Sequence, residues 1–111
     1  MTLRGAAAEQ TAAEYLTRQG LVLVERNFRC RLGEIDLIMR DGQTLVFVEV
    51  RQRASTQFGG AVASIDSRKQ QKLIAAAQVY LAKLGKTPPC RFDALLLQGD
   101  GMSWIRDAFG A

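Results

Sequence analysis

The sequence predicts an α/β fold built on a mixed sheet, with residues 1–111 forming one domain. Three observations predict it. Segments of helical period alternate with runs of β-branched and alternating apolar residues. Asp41-Gly42 joins two such runs, the mark of an antiparallel hairpin, since both residues tolerate positive φ. A helical segment then separates the second run from the next clear strand, which favours a crossover into a parallel neighbour.

Each element has a local reason. Gly5 to Gln19 reads as a helix stopped by Gly20 at its C-terminal cap. Leu21 to Asn27 reads as a strand or part of one. Glu34 to Arg40 (EIDLIMR) and Thr44 to Arg51 (TLVFVEVR) are the hairpin strands, and Gln52 to Ala63 is a loop. Ser67 opens a capping-box pattern with Gln70, and the helix that follows runs to Leu84 and is closed by Gly85. Its apolar stripe includes Leu73, Ala77, Tyr80, Leu81 and Leu84. Arg91 to Leu97 is a third clear strand, and Met102 to Arg106 is a candidate last edge strand.

Composition narrows the chemistry. The 111 residues contain no histidine, so Ser-His-Asp, Cys-His and imidazole-based zinc chemistry are excluded. Cys30 and Cys90 stand far apart, form no CxxC pair, and read as reduced, partly buried thiols. No apolar run approaches the roughly 20 residues of a membrane span. The opening MTLRGAAAEQTAAEYL lacks a signal-peptide core. The expectation is a soluble cytoplasmic protein with no membrane partner. Net charge is +4, and 11 of the 15 cations are arginines, whose planar fork suits phosphate. This mildly favours a polyanionic partner. A generically basic protein has the same balance.

The hairpin carries the main inference. With Asp41-Gly42 as a two-residue turn, Ile38 faces Leu45, Asp36 faces Phe47 and Glu34 faces Glu49. One face then shows Ile35, Leu37, Met39, Val46, Val48 and Val50, and must be buried. The other shows Glu34, Asp36, Glu49 and Arg51 beside Ile38, Leu45 and Phe47. Asp36 is the diagonal neighbour of Glu49, at about 7–8 Å, within joint reach of one ion. Two carboxylates about 5 Å apart repel by roughly 3 kcal/mol at an effective dielectric of about 20. Such a cluster asks for a cation: Arg51 in part, or Mg²⁺ held by carboxylates and water. A solvated face with a Glu49–Arg51 pair is the other reading, but the apolar neighbours favour a half-covered cleft. Glu9 lies in line with Ala12, Ala13 and Leu16, either at a site or at the wet end of the stripe. Lys69 projects from the N-terminal edge of the second helix, near Arg68 and Lys72, as either a solvated cation or a phosphate contact.

The segment Gly33 to Arg51, GEIDLIMRDGQTLVFVEVR, resembles the signature of the YraN-like family of small uncharacterised bacterial proteins. The likeness extends to Glu9, Tyr15-Leu16, Glu25-Arg26-Asn27, Phe58-Gly59, Lys69 and Arg91-Phe92-Asp93. That family is similar in pattern to the restriction-endonuclease-like (PD-(D/E)xK) superfamily, its Holliday-junction-resolvase branch included. The resemblance implies a single endonuclease-like domain with an αβββαβ core. It implies Asp36, Glu49 and the Val50 carbonyl as metal ligands for Mg²⁺ or Mn²⁺, with Glu9 as the helix glutamate. Arg51 stands where the superfamily pattern has lysine. It cannot act as a base, but it can neutralise developing charge. Lys69 is the candidate substitute. Arg26, Arg29, Arg31, Arg53 and Arg68 are the candidate nucleic-acid contacts, with DNA the expected partner and a homodimer allowed by the branch. The resulting expectation is a metal-dependent nuclease-like protein. The alternative is a catalytically silent nucleic-acid-binding or adaptor domain of the same fold.

Overall fold

Two amphipathic helices close the two faces of one five-stranded sheet. The computed structural model describes residues 3–53, 65–99 and 101–110. The elements are α1 (Leu3–Arg18), β1 (Val22–Cys30), β2 (Gly33–Asp41), β3 (Thr44–Arg53), α2 (Ser67–Leu84), β4 (Cys90–Gln98) and β5 (Gly101–Phe109). Spatial order follows chain order from β1 to β5. The β3–β4 pair, joined through α2, is parallel, and the other three pairs are antiparallel. This is the mixed α/β architecture expected, consistent with a small nuclease-like core, with β5 adding a full edge strand.

The helices are amphipathic for different partners. Ala12, Ala13 and Leu16 of α1 pack on Leu37, Met39, Val46, Val48 and Leu95. Leu73, Ala76 and Ala77 of α2 pack on Ile38, Leu45, Phe47, Phe92 and Leu96. α2 therefore roofs the apolar residues of the second hairpin face and leaves its carboxylate end open to a cleft, half-covered as expected. Leu84 falls outside the α2 stripe and is exposed. The cap of α2 is Asp66, not Ser67: its carboxylate accepts the Lys69 N–H at 2.9 Å, while Gln70 turns back to the Ile65 carbonyl at 3.0 Å. Gly85, at φ 81°, closes the helix.

The β2–β3 turn is displaced by one residue from the sequence expectation. Asp41 pairs with Thr44, leaving Gly42-Gln43 as the turn, with Gly42 at φ 62°. Positive φ at the first central position alone is the type II′ pattern, which needs glycine there. Side-chain parity survives this two-residue change of register, but the partners change: Phe47 faces Ile38. Continued one step past Leu37–Val48, the same register would set Asp36 directly opposite Glu49, not diagonal to it.

The ladder does not continue. The β2–β3 pairing ends at Leu37–Val48. Beyond it, β2 stays with β1 down to Cys30–Gly33, and β3 stays with β4 up to Arg53–Gln98. The sheet forks. At the fork Asn27, between the Arg26–Leu37 and Phe28–Ile35 pairs, takes φ 51°. The β1–β2 ribbon rolls over there. Ile35 consequently packs in the α2-side cluster with Phe28, while Leu37 packs on the α1 side. Ile35 was expected to share a face with Leu37 and Met39, and the roll is why it does not.

A second break in the sheet is structural. The β4–β5 register shifts between Phe92 and Ala94, and Asp93 between them is 0% exposed. Its carboxylate accepts from Arg91 Nε at 3.0 Å, Trp104 Nε1 at 2.9 Å and the Asp107 N–H at 2.9 Å. Arg91 also reaches Asp41 at 3.0 Å, tying the β2 end to β4. Removing one partner of a buried ion pair strands the other. Asp93→Ala should therefore lower stability by about 3–5 kcal/mol, read as a fall in urea midpoint. An unchanged midpoint would show that the network carries no stability.

Candidate functional site

A cleft of about 340 Å³ opens in the fork of the sheet. Its walls carry Glu9 from α1, Glu34 and Asp36 from β2, Glu49 and Arg51 from β3, and Lys69 from α2, with Val50 between the β3 pair. The structure thus brings Glu9, Asp36, Glu49, Val50, Arg51 and Lys69, all singled out from sequence, to one concavity.

Each side chain is placed by local structure. Where β2 leaves β3, the Asp36 carboxylate replaces the missing backbone acceptor and takes the Val50 N–H at 2.9 Å. Glu49 follows Val48 in β3 and points to the α2 side, where it is only 4% exposed. Its Oε2 lies 3.2 Å from Arg51 Nε and 3.7 Å from Lys69 Nζ. Arg51 Nε and Glu49 are close enough for an ion pair but misaligned for a hydrogen bond. Among the described residues Glu49 Oε1 is buried without a hydrogen-bond donor. Lys69 is delivered by the first turn of α2, which Gly33 allows to approach the β1–β2 tip closely. A Cβ at Gly33 would stand 2.8 Å from the Lys72 carbonyl oxygen.

The electrostatics follow from this burial. Desolvation first, then the Asp36 carboxylate, pushes the Glu49 carboxyl up to about 8, against the opposing pull of Lys69 and Arg51. Glu9 is also raised, first by burial and then by Asp36, with a hydrogen bond from Asn27 opposing. Asp36 is thus the shared neighbour of both glutamates. Among the described residues, however, no three acidic, cysteine or histidine side chains gather into one ion-holding group. Glu9 stands on the cleft wall beside Asn27, not in a compact triad. Two carboxylates with water completing the shell is still a usual Mg²⁺ arrangement. The unpartnered Glu49 oxygen is the feature such an ion would satisfy.

The arginines divide. Arg29 and Arg31 line a second concavity next to the first, though Arg29 is drawn to Glu34 at 3.3 Å. Arg68 lines a third beside it. Arg26 is exposed on β1 and lines none of the three. The Arg53 side chain and Phe58-Gly59 lie outside the described residues. Sequence reasoning passed over Asn27 as a site residue, although an asparagine inside a strand is itself a signal for positive φ. It noted Lys72 near Lys69 but assigned it no contact; Lys72 lines both basic concavities. Cys90, expected to be partly buried, is exposed, with its thiol donating to the Pro88 carbonyl at 3.2 Å. Among the described residues no helix is long and apolar enough to cross a membrane.

Raised folded-state pKa values fix the sign of a pH effect. Between its ordinary value of 4.5 and about 8, Glu49 binds more proton in the folded chain than in the unfolded one. That stability is fully present below the unfolded value and is lost as pH rises through the folded one. In a chelator, melting temperature should fall from about pH 5.5 to about pH 8.5. Glu49→Gln should flatten the fall, leaving a remnant from Glu9. A wild-type melting temperature that climbs over this window would contradict the buried, proton-holding Glu49.

Residues 8–97 match the family described as "Uncharacterised protein family UPF0102". A relative from Janthinobacterium sp. (strain Marseille) is 54% identical, covering 98% of this chain and 89% of its own. One from Methylobacillus flagellatus is 56% identical over 96% of both chains. One from Cupriavidus taiwanensis is 56% identical, covering 97% of this chain and 83% of its own. Each is named a UPF0102 protein.

Proposed function

Because the chain belongs to the UPF0102 family, the YraN-like family that its residues 33–51 resemble, we propose a function drawn from the cleft that those residues build: a metal-dependent, endonuclease-like protein acting in the cytoplasm on DNA phosphodiester bonds. The observation that carries this reading is Glu49, a carboxylate 4% exposed with one oxygen unpartnered, facing a cleft shared with Asp36. Leaving a buried acceptor unsatisfied costs about 1–3 kcal/mol, more for a charged group. A hard divalent cation is the ligand that would relieve it.

Asp36 and Glu49 would hold Mg²⁺ or Mn²⁺, with the Val50 carbonyl beside them and Glu9 reached through water. When bound, the ion supplies Lewis-acid stabilisation of a phosphodiester oxygen. The chain's own residues do the rest. The Asp36–Val50 hydrogen bond fixes one carboxylate in orientation. Arg51 is permanently charged and stabilises negative charge developing on phosphate. Lys69, on the cleft wall 3.7 Å from Glu49 Oε2, is the auxiliary cation or the group that orients an attacking water. Basic side chains beyond the cleft bind the phosphate backbone.

Asp36→Asn and Glu49→Gln should each reduce Mg²⁺- or Mn²⁺-dependent cleavage of labelled DNA by roughly 100-fold or more, with folding intact. Both should abolish the calorimetric metal isotherm. Cleavage that survives both changes would end the assignment.

One observation favours the second reading, a catalytically silent nucleic-acid-binding or adaptor domain. Glu49 already has Arg51 at 3.2 Å and Lys69 at 3.7 Å, two internal cations for one carboxylate. That reading predicts salt-dependent DNA binding indifferent to Asp36 and no metal isotherm in wild type.

A further inference from the structure

The tip of the β1–β2 hairpin departs from the usual turn chemistry. Cys30 pairs with Gly33, so Arg31-Leu32 forms a two-residue turn. Such turns favour glycine, asparagine or aspartate at positive φ. Neither Arg31 nor Leu32 is of that type, and neither has positive φ. Leu32 is also 55% exposed, the most exposed large apolar side chain among the described residues. The turn thus carries an exposed leucine where glycine or a polar residue is usual.

The surroundings say what the position faces. Leu32 lines both basic concavities, of about 440 and 450 Å³. The first carries Arg29, Arg31, Lys69 and Lys72, and the second carries Arg68 and Lys72. The first shares Glu34 and Lys69 with the acidic cleft, so one basic path runs from the cleft past Leu32. The tip lies against α2 on that path. Gly33 touches the α2 backbone so closely that a Cβ would meet the Lys72 carbonyl oxygen at 2.8 Å. An exposed apolar side chain among cations suits a partner with phosphates outside and apolar faces within.

We propose that Leu32 is an apolar wedge that enters a base step of duplex DNA lying along this path, so that ease of unstacking selects where the protein acts. This rests on the DNA-directed reading above and adds its selectivity device. Arg31, Lys72 and Arg68 hold phosphates on either side and supply affinity without sequence preference. Leucine between bases unstacks them and bends the duplex. The cost of that deformation depends on the step deformed, and it is least at mismatches.

The test uses the full chain in EDTA, so that no bond is cut. Duplexes carry one 2-aminopurine at stepped positions, whose fluorescence rises when it leaves the stack. Wild type should raise the emission about threefold where 2-aminopurine flanks a single mismatch and prefer that duplex to the matched one by roughly 5–10-fold. Leu32→Ala should bind matched duplex within about twofold with the same salt slope, yet lose both the emission and the preference. Salt-dependent binding in which wild type gives no rise, or Leu32→Ala gives the same rise, overturns the wedge and leaves the DNA reading standing. No salt-dependent binding by wild type overturns both.

Discussion

The hydrogen bond from the Val50 N–H to the Asp36 carboxylate holds the fork of the sheet together. Past Leu37–Val48 the backbones of β2 and β3 no longer pair. A continuing ladder would have set Asp36 and Glu49 across from each other on a closed surface. A carboxylate accepting a backbone N–H is a charge-assisted bond, stronger than the amide pair it replaces. It lets the strands part without leaving the Val50 donor bare. The cleft is the volume the parting creates, and every residue of the site is placed relative to it.

Glu49 and Asp93 show two fates of a buried carboxylate in the same sheet. Asp93, 0% exposed, is surrounded by donors from Arg91, Trp104 and the Asp107 backbone. It closes a bulge and asks for nothing more. Glu49 is almost as deeply buried, but its cations crowd one oxygen and leave the other bare. Full satisfaction marks a structural group, and partial satisfaction beside open volume marks a group awaiting something. The contrast separates the two more sharply than burial alone.

Much of this was legible in the residues. The helices, the hairpin, the crossover and the six cleft residues followed from periodicity, turn chemistry and one resemblance. What escaped was set by tertiary context. The Gly42-Gln43 turn and the Asp41-Gly42 turn both place a tolerant residue at the bend, so local chemistry alone does not choose between them. The roll of β1–β2 depends on Asn27 in the left-handed region, which no alternation pattern reveals. Asp93 stood in plain view as the one acidic residue of a largely apolar strand whose other charge is Arg91. Its meaning lay in Trp104 and Asp107, more than ten residues on. Lys72 and Leu32 reach the same surface only because Gly33 lets α2 come close.

The aromatic environment of β5 has a practical corollary. The chain's one tryptophan, Trp104, bonds through its indole N–H to Asp93, stacks under Arg106 at 4.2 Å and meets Tyr15 of α1 edge-on at 6.3 Å. It lines none of the three concavities around the acidic residues. Its intrinsic emission therefore registers the docking of the first helix on the far strands, and stays silent to whatever fills the fork. The molecule carries its own optical gauge of integrity, separate from its working surface.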